Sequence, residues 1–596
     1  MKFDEVFEIT GHFGPYQLVL YILLGIVGIP NGYQNLATTF IGGKQDHWCK
    51  IPELSNLTHN QQKVVGIPLI QESDGNVRYD QCFMFNLSYS SYTHDELINW
   101  NRTVQGIDDS TPKLKCTSWV WDQRQYQSTI LSEWDLVCDR APLVPLLSTI
   151  YIFGMFVGGV SSGALSDRFG RKKVFLIGLF LETVFALIGA FATSYAFLAV
   201  IRFLVSVSAA AAFTTTFVLI MECIGPKARV YCGVLYQAFF SLGFALLPLM
   251  AYFIRDFRKL QIAMAIPPII LQVYWFIIPE SPRWLVSKGR HEEAIEILKN
   301  VAKVNKKTLP EKLTFDTEED GQSTDNKEVA MREFHSMKST EKMVPDSKEV
   351  KGTVLDLFRT PRLRCRTFNI WFNWFVNSMV YYGLSLNTGS LSGDIYTNTT
   401  LSALVEFPAL LLAAVALDRV NRRWPLGLTM ITGGAACLAC IPLLYRKKDL
   451  GAVLNTISMI GKLMLSASFA IIYVFSAELY PTCIRNVGVG SASTAARVSG
   501  MASPFIGRLN EFWPPIPSII FGVFSLAAGF LAFLLPETKD KKLPETLEEG
   551  ERFGLEDDTE PFETLSNGQI NQGFKDDVGL RPLSVGDDKP KMVTQL

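Results

Sequence analysis

One short charged motif occurs twice in this chain, each time at the edge of a long apolar stretch. The first copy reads Gly163-Ala-Leu-Ser-Asp167-Arg168-Phe-Gly170-Arg171-Lys172-Lys173, and the second reads Asp418-Arg419-Val-Asn-Arg422-Arg423. Glu222 with Arg229 is matched by Glu478 with Arg485, and Pro279-Glu280-Ser-Pro-Arg283 by Pro536-Glu537-Thr-Lys539. The offsets are 251, 256 and 257 residues. Three pairs at nearly one spacing point to a duplicated membrane bundle. A solute path between two related halves is the usual meaning of that design.

Composition agrees. The chain has 596 residues, 48% of them hydrophobic, yet it carries 56 Lys and Arg and 57 Asp and Glu. Those charges pool between apolar stretches, as in multi-span membrane proteins. A net charge of −1 gives no argument for nucleic acid as a partner. Twelve spans, each near the ~20 residues that a bilayer core requires, are expected. The first six lie roughly at 16–40, 144–164, 174–193, 197–220, 232–253 and 261–279, and the second six at 367–388, 400–417, 424–444, 452–475, 487–506 and 517–536. The expected fold is therefore an all-α membrane protein of twelve transmembrane helices in two pseudo-symmetric six-helix bundles. The polar start Met1-Lys-Phe-Asp4-Glu5, with no small-residue cleavage site, marks the first span as a retained helix.

Loop charge sets the orientation. Arg168-Arg171-Lys172-Lys173, Lys227-Arg229, Arg419-Arg422-Arg423 and the basic segment 283–312 share one side, expected to be cytoplasmic. Arg446-Lys447-Lys448 and Arg255-Arg258-Lys259 fall on the other side and run against the rule. An even number of spans places both termini in the cytoplasm. The expected division is a cytoplasmic N-terminus with the first helix (1–41), an extracellular loop (42–142), helices two to six (143–283), a cytoplasmic loop (284–366), the second bundle (367–538) and a cytoplasmic tail (539–596).

The outer loop holds Cys49, Cys82, Cys116 and Cys138, an even set suited to two disulfides in an oxidising compartment, with the connectivity open. It also holds three glycosylation sequons, at Asn56, Asn86 and Asn101. In the cytoplasmic loop, apolar spacing from Arg290 predicts a short amphipathic helix, and the acidic stretch 315–350 reads as disordered. The tail from about 545 reads the same way and closes on Thr594-Gln-Leu596, a sequence a PDZ domain could take as an added strand.

The duplicated Gly-x-Leu-Ser-Asp-Arg-x-Gly-Arg-Lys signature resembles that of the major facilitator superfamily. Glu478-Leu-Tyr-Pro-Thr-Cys-Ile-Arg-Asn486, Pro279-Glu-Ser-Pro-Arg-Trp-Leu285, Leu131-Ser-Glu-Trp-Asp-Leu-Val-Cys138 and the cysteine-bearing outer loop look like the organic cation, anion and zwitterion transporters. The likeness runs from about residue 4 to 545. Pro248-Leu-Met-Ala-Tyr-Phe-Ile-Arg-Asp256 and Gly488-Val-Gly-Ser-Ala-Ser-Thr-Ala-Ala-Arg497 look most like the carnitine/zwitterion branch. The cation branch carries an aspartate at the position of Arg497, so this chain departs from that pattern.

Arg497 lies inside an apolar helix, where a cation costs at least ~2.5–3.5 kcal/mol unless it meets water or a partner. Two readings stand: an ion pair with an intramembrane acid such as Glu406 or Glu182, or a carboxylate-binding residue in a central cavity. Lys462 carries the same two readings. Trp374 and Tyr381, seven apart on one helical face, match substrate-cavity positions of the cation transporters, and ring faces are the natural partners of a quaternary ammonium. Gln237 matches another cavity position. Asn31, after Pro30, either lines the cavity or satisfies a broken helix. Asp167, Arg168, Arg171, Glu222, Arg229, Asp418, Arg422, Glu478 and Arg485 sit at cytoplasmic helix ends. They are either solvated pairs or a latch between the bundles that parts when the inner side opens.

Other classes are disfavoured. No Walker A loop is present, and no Cys/His cluster has metal-ligand spacing, so neither ATP hydrolysis nor a cofactor is expected. The chain reads as a plasma-membrane, multi-pass carrier of small organic ions and not an enzyme. A carnitine-like zwitterion is the leading solute class, with sodium as a coupling ion. The alternatives are a facilitative organic cation carrier, an organic anion exchanger and a non-transporting membrane receptor.

Overall fold

The computed structural model describes residues 3–71, 77–100, 102, 107, 111–310, 353–541 and 543–554. Twelve long helical segments run in order. In the first half they are α1 (Pro15–Ile41), α2 (Leu143–Phe169), α3 (Arg171–Ala190), α4 (Tyr195–Cys223), α5 (Pro226–Phe253) and α6 (Phe257–Ile277). In the second they are α7 (Pro361–Leu386), α8 (Ile395–Arg419), α9 (Arg423–Leu444), α10 (Asp449–Leu479), α11 (Arg485–Arg508) and α12 (Ile516–Ala532). Among the described residues, nine helices pass as membrane spans by length and hydropathy alone. The other three are α7, α11 and the shorter α12. α7 and α11 are too polar to pass because their polar side chains face protein. Ser378 Oγ donates to the Ala496 carbonyl at 2.7 Å, Ser503 Oγ to the Met379 carbonyl at 2.9 Å and Trp371 Nε1 to Ser491 Oγ at 3.0 Å. Such bonds join membrane helices where apolar burial offers no preference over lipid.

Each half packs on itself, α4 against α2 and α3 in the first and α7 against α11 in the second. Between halves the contacts run α5 to α8 and α2 to α11. α1 and α5 cross closely at Gly32 and Gly243, where a Cβ on either would strike the other helix's backbone. At the outer end both halves share one apolar cluster, with Phe40 stacked on Tyr396 at 5.5 Å and Tyr252 edge-on to the same ring.

The duplicated motifs do the same job twice. Gly170, at φ 103°, turns the chain between α2 and α3. The Glu280 carboxylate then accepts from the free Arg171 and Lys172 amides at 2.9 and 3.0 Å, capping donors that a helix start leaves unpaired. Glu537 accepts from the Arg422 and Arg423 amides at 2.6 and 3.1 Å at the start of α9. The Arg171 guanidinium forks onto Glu222, with Nη2 to Oε1 at 3.0 Å, and its Nη1 reaches the Ser166 carbonyl. Arg422 forks onto Glu478, Nε to Oε2 at 3.0 Å, and its Nη1 reaches the Leu417 carbonyl.

The outer loop folds as its own small layer. Among the described residues, three antiparallel two-stranded sheets pair His47–Cys49 with Trp119–Trp121, Leu69–Gln71 with Val77–Tyr79 and Phe83–Phe85 with Lys113–Lys115. Their core holds Trp48, Leu54, Val65, Ile67 and Tyr89. Cys49 is bonded to Cys116 and Cys82 to Cys138, which resolves the open connectivity. Basic residues that broke the charge rule hold this layer. Arg258 Nη2 meets Glu133 at 2.7 Å and Arg255 Nη1 donates to the Arg124 carbonyl at 3.2 Å.

On the other face, the expected amphipathic helix is His291–Val304. Asn305 at its end accepts from the Tyr16 amide and donates to the Thr10 carbonyl and Gln17, tying this linker to α1. The tail departs from its reading, because Leu547–Arg552 is a helix capped by Thr546. Glu551 takes the Arg362 and Leu363 amides at 3.0 Å each, at the start of α7, and Arg366 reaches the carbonyls of Gly550 and Phe553. Burial works against the charged Glu551 carboxylate. Hydrogen bonds from Thr360, Arg362 and Leu363 and the charge of Arg366 outweigh it and hold this carboxyl below its usual range. Residues 315–350, Asn101 and Thr594-Gln-Leu596 lie outside the described residues.

Asn56 and Asn86 are exposed on the loop layer. Glycosidase treatment of cell-surface protein should therefore shift its mobility. Peptide mapping without reduction should recover the two pairs Cys49–Cys116 and Cys82–Cys138; mixed pairs or four free thiols would contradict this fold.

Candidate functional site

Pro408 shapes the centre of the second half. It has no N–H for the Leu404 carbonyl and its ring crowds the preceding turn, and α8 divides into Ile395–Leu404 and Glu406–Arg419. Glu406 stands at that break, mid-membrane. Its Oε1 lies 3.0 Å from Lys462 Nζ of α10, with side-chain exposures of only 2% for Lys462 and 4% for Glu406. The same oxygen accepts from Tyr381 OH at 2.8 Å, and Oε2 accepts from Ser241 Oγ at 2.5 Å. Ser241 belongs to α5, so this carboxylate joins the two halves. The Lys462 ammonium also donates to Ser385 Oγ and sits 3.5 Å above the centre of the Tyr381 ring, with Phe244 at 5.8 Å. A buried pair of this kind is stable only when its remaining valences are also met, and here they are.

Arg497 stands apart. It is half-buried on α11, close enough to Tyr473 to interact electrostatically, and among the described residues it has no hydrogen bond or ion pair. The two acids weighed against it are elsewhere: Glu406 is taken by Lys462, and Glu182 of α3 interacts with Arg202. Trp374 is fully buried. Its Nε1 donates to Ser476 Oγ at 2.8 Å and its ring meets Tyr473 edge-on at 4.3 Å. Tyr381, Phe469 and Tyr473 form a half-buried aromatic wall beside it. Gln237 is half-buried on α5, and Asn31 is buried on α1 with its carbonyl oxygen unpartnered.

The charges of the duplicated motifs pair within their own halves. Besides the two forks, Arg171 meets Asp167 at 2.8 Å, Arg229 meets Asp4 at 2.8 Å and Arg485 donates to the Tyr480 carbonyl. The cross-half contact among them is Tyr231 OH to Asp418 Oδ1, at 2.6 Å. Arg168 lies over the Phe169 ring. No group of three His, Cys, Asp or Glu among the described residues could hold a metal.

This arrangement can be set beside known proteins. The profile of the family described as "Sugar (and other) transporter" matches residues 122–549. An organic cation transporter protein of Drosophila melanogaster is 36% identical over 95% of this chain and 97% of its own length. Organic cation/carnitine transporter 2 of Homo sapiens is 33% identical, over 92% of this chain and 93% of its own. The inward-open xylose transporter XylE of E. coli superposes with a TM-score of 0.53 at 14% identity, covering 90% of this chain and 99% of that one, which shows the fold. The chain belongs to the sugar (and other) transporter family of the major facilitator superfamily, with solute carrier family 22 relatives. It is a multi-pass secondary transporter of the plasma membrane, and not an enzyme.

Several residues of this transporter were not singled out by sequence. Ser241 and Ser385, which complete the Glu406–Lys462 pair, carry no signal beyond being hydroxyls in spans. Glu280 and Glu537 stood in the repeated motifs but as markers, not as caps. Arg202 was findable, being a cation mid-span like Arg497. It is buried in the first half, donating to Gln34 Oε1 and to the Gln34 carbonyl at 2.8 Å each, with the Tyr151 ring 4.5 Å away.

Because Trp374 is sealed and its indole N–H is satisfied, it should behave as a packing residue. Trp374→Phe removes one hydrogen bond worth ~0.5–1.5 kcal/mol. The purified variant should melt lower while the KM for the transported solute stays unchanged. A large rise in KM would instead place the ring in contact with solute.

Proposed function

We propose that this transporter carries small zwitterions bearing a carboxylate and a quaternary amine, carnitine-like, by alternating access. The supporting observation is the charge balance of the centre. Lys462 cancels Glu406, and Arg497 is left as a half-buried cation without a partner. A carboxylate is the ligand that such a group takes, through the paired N–H donors of the guanidinium. The solute's ammonium then lies against the Tyr381, Phe469 and Tyr473 rings and the Glu406 carboxylate, with Gln237 and Asn31 facing it from the first half and Trp374 backing the rings. The printed names of the relatives, organic cation and carnitine transporters, support the same class.

Reorientation would exchange the contacts between halves. In this arrangement the outer end is packed around Tyr396, and Asp167, Arg171, Glu222, Arg422 and Glu478 pair inside their halves. Re-pairing of these charges across the halves would lock the inner side when the outer side opens.

A second reading, an organic anion exchanger, is favoured by one observation: the Tyr381 face is already covered by Lys462. Uptake of labelled carnitine, a small aliphatic cation and a dicarboxylate separates the two readings. Repeating it with sodium replaced by N-methylglucamine tests the sodium coupling implied by the resemblance.

Arg497 gives the sharper test. Losing a charged hydrogen bond worth ~1.5–3 kcal/mol weakens recognition by roughly ten- to a hundredfold. Arg497→Asp should reach the surface, abolish zwitterion uptake and admit simple cations, and Arg497→Lys should fall between. Unchanged affinity for the zwitterion in surface-delivered Arg497→Asp would sink the assignment.

A further inference from the structure

We propose that Lys462 is a tethered cation. Between solutes its ammonium occupies the subsite that the solute's quaternary ammonium uses, and it thereby lets the carrier reorient without cargo. This rests on the reading of Glu406 and Tyr381 as part of the solute site.

The contacts carry the argument. The Lys462 ammonium has one carboxylate oxygen at 3.0 Å, one aromatic face at 3.5 Å and a second ring at 5.8 Å. A counter-ion and ring faces are the partners that an alkylammonium ligand seeks. At 3.5 Å from the Tyr381 centroid the ammonium leaves no room for a second cation on that face. Solute and lysine must alternate. A four-carbon stem with three rotatable donors suits such a swing, whereas a forked guanidinium would be held in place.

The location explains why an internal cation is needed. Glu406 is almost wholly buried and bonded to Ser241 of the other half, so it lies on the seam that closes and opens as the halves rock. A buried carboxylate without a countercharge is strongly unfavourable, so a carrier passing through a closed state needs a cation on Glu406 every time. On the loaded passage the solute supplies it. On the unloaded return Lys462 supplies it. Arg497 is under no such constraint, because it is only half-buried. A carrier with Lys462 can therefore perform net transport, and one without it is confined to exchange of one cationic headgroup for another.

The test uses the full-length protein reconstituted in liposomes, with labelled carnitine. Net uptake into solute-free liposomes is compared with exchange into liposomes preloaded with unlabelled carnitine. Lys462→Gln should lose net uptake by about tenfold or more while exchange survives, since removing one partner of a buried pair costs several kcal/mol. Lys462→Gln with Glu406→Gln removes both charges; losing Glu406 from the solute site lowers both rates, but the ratio of net uptake to exchange should recover towards that of the wild type, which also separates this effect from misfolding. If the ratio of net uptake to exchange in Lys462→Gln equals that of the wild type, the tethered cation is wrong. The same holds if that ratio is as low in the double variant as in the single one. Failure of the wild type to take up carnitine in either mode would instead overturn the zwitterion reading, before any variant is made.

Discussion

Two arginine–glutamate forks, Arg171 with Glu222 and Arg422 with Glu478, hold the same end of each half, and much of the fold depends on them. Each guanidinium ties the start of one helix to the end of the next and donates to a carbonyl in the last turn of the preceding helix. The repeated glutamates Glu280 and Glu537 seal the same corners by capping α3 and α9. Both corners lie where chain turns leave backbone groups unpaired, and at a membrane edge those groups need protein partners. Each pair lies within one half, as the proposed reorientation of the bundles requires.

The centre follows the opposite logic. Membrane interiors do not tolerate loose charge, yet this one holds Lys462, Glu406 and Arg497. Two of them neutralise one another in a fully bonded cluster, and the third is left without a partner at a half-buried position beside aromatic rings. The seam between halves passes through Glu406, whose two oxygens serve α7 and α10 on one side and α5 on the other. In the proposed mechanism, recognition of solute and movement of the halves meet at this one carboxylate.

α7 and α11 illustrate how polarity locates such a site. They fail a hydropathy test for membrane spans because they carry the hydroxyl, amide and charged side chains that bind helices to each other or face the interior. The spans that look least like membrane helices are the ones that carry Tyr381 and Arg497. The same cause accounts for the basic Arg255 and Arg258, which run against the expected charge rule: they are partners of the loop layer.

The sequence by itself determined the twelve-span duplicated bundle, the cysteine loop as a folded insertion and the linker helix, because these rest on apolar run length, repeat spacing and local periodicity, and its motifs carried the resemblance to the family. It also marked Arg497, Lys462 and Glu406, since a charge within an apolar run is conspicuous whatever the fold. It did not decide who pairs with whom. Arg497 was weighed against Glu406, and only the packing of α8 beside α10 gives Glu406 to Lys462. Trp374 and Tyr381 share a helical face, yet the neighbours at each level of α7 differ: Ser476 and Tyr473 bury one ring, and Lys462 places an ammonium over the other. The tail helix at Leu547–Arg552 is short and acidic and forms because the start of α7 offers free amides to Glu551. Pairing, burial and docking depend on residues far apart in the chain, and distance in space is what local pattern does not encode.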